Sequence, residues 1–420
     1  MISLIERLFP ITRSITGDGV RETLSIINEH IPLVVHEVPS GTSVLDWTVP
    51  PEWNVGEAWI RDSSGRTVVD LVNSNLHLVS YSIPVHTNLP LDELQQHLHS
   101  LPDRPDLIPY RTSYYTETWG FCLSHRLRET LADGEYEVFI GSTLEPGSLT
   151  YAEHVVAGDS TGEIIVSSHV CHPSLANDNL SGVAVAVALA QRLASNTRGR
   201  LTTRFVFAPG TIGTITWLER NRDQIGRIQA GFTLVSLADG APLTYKRTFD
   251  GRSVIDRAAA LVLEESDVSH RFLDFYPYGY DERHYNSPGF RLPVGSFMRS
   301  VHGQTPEYHT SGDNLDLVDP AQLEEALDVL TRVIEVVDRN LTYVNQAPYG
   351  EPQLGKRGLY EAIGGKNIAD LQLAMLWVLN LSDGEHDLLA IAERSDLPFD
   401  TVAEAADLLA ETGLVQESVP

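Results

Sequence analysis

Between about residues 150 and 345 the chain alternates short apolar runs with amphipathic stretches, and this alternation constrains the fold more than any other feature. Strand-like runs rich in β-branched and aromatic residues fall at 163–168, 203–208, 231–237 and 292–298. Helical patterns fall between and after them, at 181–194, 211–222, 253–265 and 320–340. A strand that leads through a helix to the next strand joins its sheet in parallel, with helices covering the sheet. The expected core is therefore α/β: a mostly parallel sheet with helices on both faces.

The flanking segments read differently. Residues 1 to about 40 carry a helix with Leu4, Ile5, Leu8 and Phe9 on one face, a connecting segment, and a second helical pattern after Gly17-Asp18-Gly19. Residues 42–150 hold short alternating runs at 57–61, 67–70 and 135–140 with turn signals at Ser63-Ser64-Gly65 and Asp133-Gly134, the pattern of a β-rich inserted domain. Its scattered His77, His86 and His125 are read as structural. Residues 357–420 look helical throughout, and the pair 388–395 and 401–412 across the turn Asp396-Leu397-Pro398 has helix-turn-helix spacing. The expected domains are a core of 1–41 and 151–350, an insert of 42–150, and a winged helix-turn-helix of 357–420.

Charge narrows the partners. With 57 acidic against 30 basic residues the net charge is −27, which argues against nucleic acid and against anionic membranes. The second helix of the C-terminal pair carries Glu404, Asp407 and Glu411 with no Lys or Arg, so a packing or dimerisation module, and hence a homo-oligomer, is expected there rather than a DNA reader. No apolar run approaches the ~20 residues of a membrane span, and residues 1–7 lack a signal-peptide pattern. Two cysteines, Cys122 and Cys171, make no disulfide framework, and a cytoplasmic location is expected.

The chemistry concentrates in two polar loops. The run Ile164-Ile165-Val166 leads into Ser167-Ser168-His169-Val170-Cys171-His172-Pro173-Ser174-Leu175-Ala176-Asn177-Asp178-Asn179-Leu180-Ser181-Gly182, then into an Ala/Val-rich helix. Two imidazoles and a carboxylate at the mouth of a strand lie where open α/β sheets place their sites, and they suit zinc, which takes N and O donors. Asp178 could instead cap the helix, a task open equally to Ser181. Far downstream comes Pro306-Glu307-Tyr308-His309-Thr310-Ser311-Gly312-Asp313-Asn314.

Together the two loops resemble the M28 clan of zinc aminopeptidases, which have a strand-end His, an Asp in a D-N-x-S-G helix start, and a late Tyr-His-Thr. Those positions fall here on His169 or His172, on Asp178 and on His309. Nearly the whole chain is similar to a bacterial family with an aminopeptidase-like core, an inserted domain and a C-terminal winged helix. The resemblance runs through segments such as 13–21, 74–77, 81–85, 108–115 and 119–122. It implies a phosphorylase/aminopeptidase-like core and a zinc-dependent hydrolase.

Two departures from the clan matter. The clan's Glu-Glu pair is replaced by Pro209-Gly210-Thr211, and its third acidic ligand by Ser236, with Asp239 three residues on. The expectation is thus one zinc ion, held by His172 (or His169), Asp178 and His309. His169 is then left to bind substrate with Arg283 and Tyr308, and the acid–base work falls to Asp281, Glu282 or Glu307. Tyr114, Tyr115 and Trp119 are candidates to wall the pocket. The expected activity is cleavage of an amide bond in a peptide or small amidated metabolite through a zinc-activated water. The alternative is a catalytically degenerate protein on the same fold, acting as a binding or scaffolding module.

Overall fold

The computed structural model describes residues 1–196, 198–359 and 368–418. It divides into two compact units, Met1–Asp256 with Leu263–Thr331, and Arg257–Val262 with Arg332–Pro420.

The first unit is built on an eight-stranded mixed sheet. Its strands are β1 (Val34–Pro39), β2 (Ser148–Val156), β3 (Glu163–His169), β4 (Thr202–Ala208), β5 (Ile228–Val235), β6 (Leu243–Lys246), β7 (His270–Leu273) and β8 (Val294–Met298). They lie in the order β1-β2-β4-β3-β5-β8-β6-β7. The central run β4-β3-β5-β8 is parallel, β6 and β7 pair in parallel, and β1, β2 and the β8–β6 pairing are antiparallel. β3 is buried at all seven positions, which is why it reads as a continuous apolar run rather than an alternating one. The expected strands 163–168, 203–208, 231–237 and 292–298 correspond to β3, β4, β5 and β8. The sequence reading missed the edge and near-edge strands β1, β2, β6 and β7. β1, for example, is mostly exposed or half-exposed, so its apolar content is too thin to signal.

Sheet order locates the functional face. From β3 the chain passes through a helix to β4 on one side, whereas β5 lies on the other side of β3 and leads on towards β6. The carboxyl ends of β3 and β5 therefore flank a topological switch point, the crevice in which open α/β sheets bind ligands.

Helices α1 (Ile2–Leu8), α2 (Asp18–Asn28), α3 (Gly182–Ser195) and α4 (Ile212–Arg220) belong to this unit. The segment 42–150 forms a four-stranded antiparallel sheet of Thr67–Asp70, Glu52–Asp62, Glu135–Glu145 and Val85–Pro90. It does not bury itself separately: Trp53, Ile60, Phe121 and Val138 share one apolar cluster with Ile165, Val206 and Trp217 of the core.

In the second unit, strands Asp383–Asp387, Thr342–Asn345 and Val415–Glu417 form an antiparallel sheet beside helices Ile368–Leu381, Leu388–Ser395 and Phe399–Glu411. This is a winged-helix arrangement, and it corrects the all-helical reading of 357–420. Its outer strands are short and polar, and they exist because Thr342–Asn345, outside that range, supplies their partner. Residues 360–367 and 419–420 of that range lie outside the described residues. Among the described residues no helix is long and apolar enough to cross a membrane.

Candidate metal centre

At the end of β3 the chain leaves through His169 and turns back through Ala176–Ser181 into α3. The turn is fixed by side chains other than that of Asp178. Asn177 donates to Asp239 Oδ2 (2.6 Å) and accepts from the Ala238 amide (2.8 Å). Asn179 donates to Ser168 Oγ and the Leu234 carbonyl, both at 3.0 Å. Ser181 donates to the Asn177 carbonyl (2.6 Å) and accepts from the Leu237 amide (2.8 Å). Asp239 also accepts from Ser300. Gly182 is required by close approach, since a Cβ there would stand 2.5 Å from the Leu234 carbonyl oxygen.

The backbone amides of Asn177 and Asp178 donate to the two carboxylate oxygens of Asp313, at 2.6 and 2.8 Å. The Asp178 carboxylate is left over, 2 % exposed, facing imidazoles instead of capping α3. His169 Nε2 is 3.0 Å from its Oδ1, and His309 Nε2 is 3.3 Å from its Oδ2. The second approach lies outside hydrogen-bond geometry, so Asp178 Oδ2 and His309 Nε2 are both buried atoms with no hydrogen-bond partner. His172 completes the cluster, its ring 4.9 Å from that of His169 and 5.1 Å from that of His309. Donor atoms of His169, His172 and Asp178 all lie within 4.8 Å of one another, a group that could hold a metal ion. The sequence left His169 and His172 as alternatives; the structure brings both to Asp178.

The electrostatics suit Asp178 and His172 as metal donors. Burial pushes the Asp178 carboxyl up, but His172, His169 and His309 outweigh it and hold it well below the usual carboxylate range. Burial, reinforced by the neighbouring imidazoles, drives His172 well below its ordinary value, so its ring is neutral with a free lone pair. Burial also acts to lower His169, yet its bond to Asp178 and that residue's charge raise it overall. Burial pushes the Cys171 thiol up to about 12, so without a metal it stays protonated. Asp313, stripped of solvent, is raised to about 7 despite its backbone donors.

The loop carrying His309 is tied to the insert. The Tyr110 amide donates to the His309 carbonyl (2.7 Å), and the Ser311 amide to the Ile108 carbonyl (2.8 Å). Tyr110 packs edge-on against both His172 and His309, at 5.2 and 5.1 Å. Of the aromatics expected to wall the pocket, Tyr114 backs Tyr110 through its hydroxyl (3.0 Å) and packs edge-on against Tyr81. Tyr115 lies against Trp47, and Trp119 stacks on His97. Tyr308 stacks on His309 at 3.9 Å and its hydroxyl meets His302 Nε2 at 3.1 Å.

Two of the three carboxylates expected to move protons are committed elsewhere. Asp281 accepts from the Thr211 amide (2.8 Å) and Thr214 Oγ1 (2.9 Å) at the start of α4. It thereby holds Thr211, a β-branched residue at φ 61°, in a conformation that such residues rarely adopt. Glu282 is fully buried and paired with Lys246 Nζ at 2.7 Å. Glu307 is half-buried, and among the described residues its carboxylate has no polar partner. Arg283 lies beside Thr211, its guanidinium 3.3 Å from Oγ1.

Sequence reasoning passed over three residues: Asp313, which clasps the turn; Tyr110, which walls the site; and Arg13. Arg13 is 1 % exposed and donates from Nε to the His172 carbonyl (3.0 Å) and from Nη1 to the Leu8 carbonyl (2.6 Å). All three lie in segments the sequence had singled out by resemblance, but their partners are remote in sequence.

A family model described as "Domain of unknown function (DUF4910)" matches residues 2–340, and a winged helix-turn-helix model matches residues 341–417. The chain is 48% identical over 415 residues to a Clostridium acetobutylicum protein named "Putative polysaccharide biosynthesis protein with aminopeptidase-like domain", covering 99% of this chain and 95% of that one. A crystal structure of a "putative peptidase" from Clostridium acetobutylicum superposes with a TM-score of 0.91 at 46% identity, over 99% of this chain and 96% of that one. A zinc aminopeptidase from Bacillus subtilis shares the fold, with a TM-score of 0.58 at 14% identity over 79% and 93% of the two chains.

Proposed function

We propose, on the premise that the chain belongs to the DUF4910 family, that it is a metal-dependent amide hydrolase. It uses one zinc ion held by Asp178 and two of the three imidazoles of His169, His172 and His309, which leaves the fourth tetrahedral position to a water. The observation that carries this reading is the pair of unpartnered buried atoms, Asp178 Oδ2 and His309 Nε2. A polar atom left bare in the interior costs about 1–3 kcal/mol, so two of them facing each other mark a place for an ion. Ligand atoms bound tetrahedrally to one zinc at about 2.0–2.1 Å stand about 3.3 Å apart. The His309 Nε2–Asp178 Oδ2 separation of 3.3 Å fits that spacing, and the N and O donor set suits zinc.

Bound there, zinc supplies Lewis-acid polarisation of an amide carbonyl and a water that ionises near neutral pH. The chain's own residues do the rest. Asp313 and Asn177 fix the turn that aims Asp178, neutral His172 offers its lone pair, and Tyr110 shields the imidazoles from solvent. We assign proton transfer to Glu307, the one expected carboxylate without a described partner. The relative's name suggests a substrate met in polysaccharide biosynthesis, and we place it among peptides and small amidated metabolites. The winged helix we read as a packing or dimerisation module of a cytoplasmic protein. On its second helix Asp400 and Asp407 are already paired with Arg332 and Arg339, at 2.8 and 2.9 Å.

Metal analysis tests the reading directly. Native protein is expected to carry about one zinc per chain, lost when His172→Ala and His309→Ala are combined. Native protein that stays metal-free at saturating zinc would sink the proposal.

A second reading, a binding module that has lost catalysis, is favoured by one observation: residue 210 is glycine although a side chain would fit. A Cβ there would be 3.4 Å from Cys171 Sγ and 3.8 Å from His169 Cβ, ordinary contacts. We expect the zinc-loaded native chain to hydrolyse amides without a carboxylate at this position. Hydrolysis seen only in Gly210→Glu, across the same panel of peptide and acyl amides, moves the protein to the second reading.

A further inference from the structure

We infer that Arg283, together with Thr211, forms a subsite for a carboxylate on the substrate. The amide cleaved is then one whose substrate presents an acid rather than a free amine. The inference rests on the hydrolase reading above and names the substrate class for that site.

The argument is one of charge accounting. A substrate ammonium would need an uncommitted carboxylate, and all but one of the site's carboxylates are spent. Asp178 faces the imidazoles, Asp313 accepts two backbone amides, Asp239 holds Asn177 and Ser300, and Asp281 caps α4. Glu307, the remaining acid, carries the proton transfer assigned above.

The cation is in the opposite condition. Arg283 sits between two acids, yet both turn away, Asp281 to Thr211 and Thr214 and Glu282 to Lys246. In a chain of net charge −27, its guanidinium has no carboxylate partner among the described residues. Its two polar contacts are long, 3.5 Å to His284 and 3.3 Å to Thr211 Oγ1. Most of its five N–H donors remain for a planar, bidentate acceptor, the geometry a carboxylate provides.

Arg283 is also in the right place. Thr211 adjoins Gly210, whose Cβ direction runs towards His169. Beyond His169, Tyr308 stacks on His309 and His302 packs on Tyr308 in turn. Asp281 spends its bond to the Thr211 amide on keeping this β-branched residue at positive φ, a strain of the kind that persists at ligand sites.

Calorimetric binding to zinc-treated full-length protein tests the subsite, with three probes: N-acetyl-L-alanine, D-glucuronic acid and L-alaninamide. At least one of the two acids is expected to bind about tenfold or more tighter than the amide, and which one binds separates a peptide-derived from a sugar-derived acid. Arg283→Gln should weaken that acid about 10- to 100-fold, the range for a hydrogen bond to a charged group. Arg283→Lys should recover only part, because a point charge lacks the planar fork. Zinc content should stay unchanged in both variants. The subsite is overturned if L-alaninamide binds as tightly as the acids, if Arg283→Gln binds the acid like native protein, or if neither acid binds. A native protein that binds no zinc overturns the hydrolase reading instead, and the metal assay reports that separately.

Discussion

Asp178→Asn is expected to abolish zinc retention while leaving a folded protein. Asparagine matches aspartate in shape and keeps the backbone bonds to Asp313, but it removes the one carboxylate that all three imidazoles face. An outer-sphere partner of a metal ligand is worth 10- to 100-fold in affinity, so loss of a direct ligand should exceed about 100-fold. Competition with a chromophoric chelator at pH 7 reads this out, and native-like retention would remove Asp178 from the site.

Compared without metal, Asp178→Asn should also be less stable than the native protein. Breaking a buried ion pair from one side costs about 3–5 kcal/mol when the other charge is stranded. Here His169 can release its proton, so a cost of about 1–3 kcal/mol, that of an unmet hydrogen bond, is expected. Its pH dependence has a definite sign. Asp178 is depressed in the folded state, so its contribution is present above the unfolded carboxylate value of about 3.9 and lost as pH falls further. His169 is raised, so its contribution is full below the unfolded imidazole value of about 6.5 and lost as pH rises through the folded one. The gap between native and Asp178→Asn, measured by urea unfolding in chelator, should therefore be widest between about pH 5 and 6.5.

What the sequence disclosed follows from where each signal resides. β3 and α3 were legible because both are buried over most of their length, and Asp178 because it lies between two asparagines at the mouth of a strand. The choice between His169 and His172 was not legible: strand periodicity ends at residue 169, and the backbone from 170 to 175 is set by remote bonds such as that from Arg13 to His172. The roles of Asp281 and Glu282 were hidden for the same reason. Thr211 lies 70 residues from Asp281 and Lys246 lies 36 from Glu282, so an acidic run beside an arginine looked like one site. The place of Tyr110 was not legible either, because its contact with His309 exists only once the insert folds onto the core.

Glu282 supplies the second large effect, and it separates a structural acid from a catalytic one. Its carboxylate and the Lys246 ammonium are 0 % and 1 % exposed and 2.7 Å apart. Lys246 also donates to the Tyr278 carbonyl at 2.8 Å and lies 3.9 Å above the Tyr276 ring. Glu282→Ala strands that ammonium in the interior and should cost about 3–5 kcal/mol. Burial nonetheless raises the Glu282 carboxyl even beside Lys246, so desolvation rivals the attraction within the pair. Replacing both partners by apolar residues, Glu282→Leu with Lys246→Met, should consequently recover most of the loss, as such exchanges do elsewhere. A double-mutant cycle of Glu282→Leu and Lys246→Met, read by chemical denaturation, should thus give a coupling of at least about 2–3 kcal/mol. Turnover per folded molecule of Glu282→Gln should fall by less than about tenfold, whereas loss of a general base costs about 10²–10⁴. A fall in that larger range with stability unchanged would return Glu282 to the catalytic role, and additive single substitutions would break its link to Lys246.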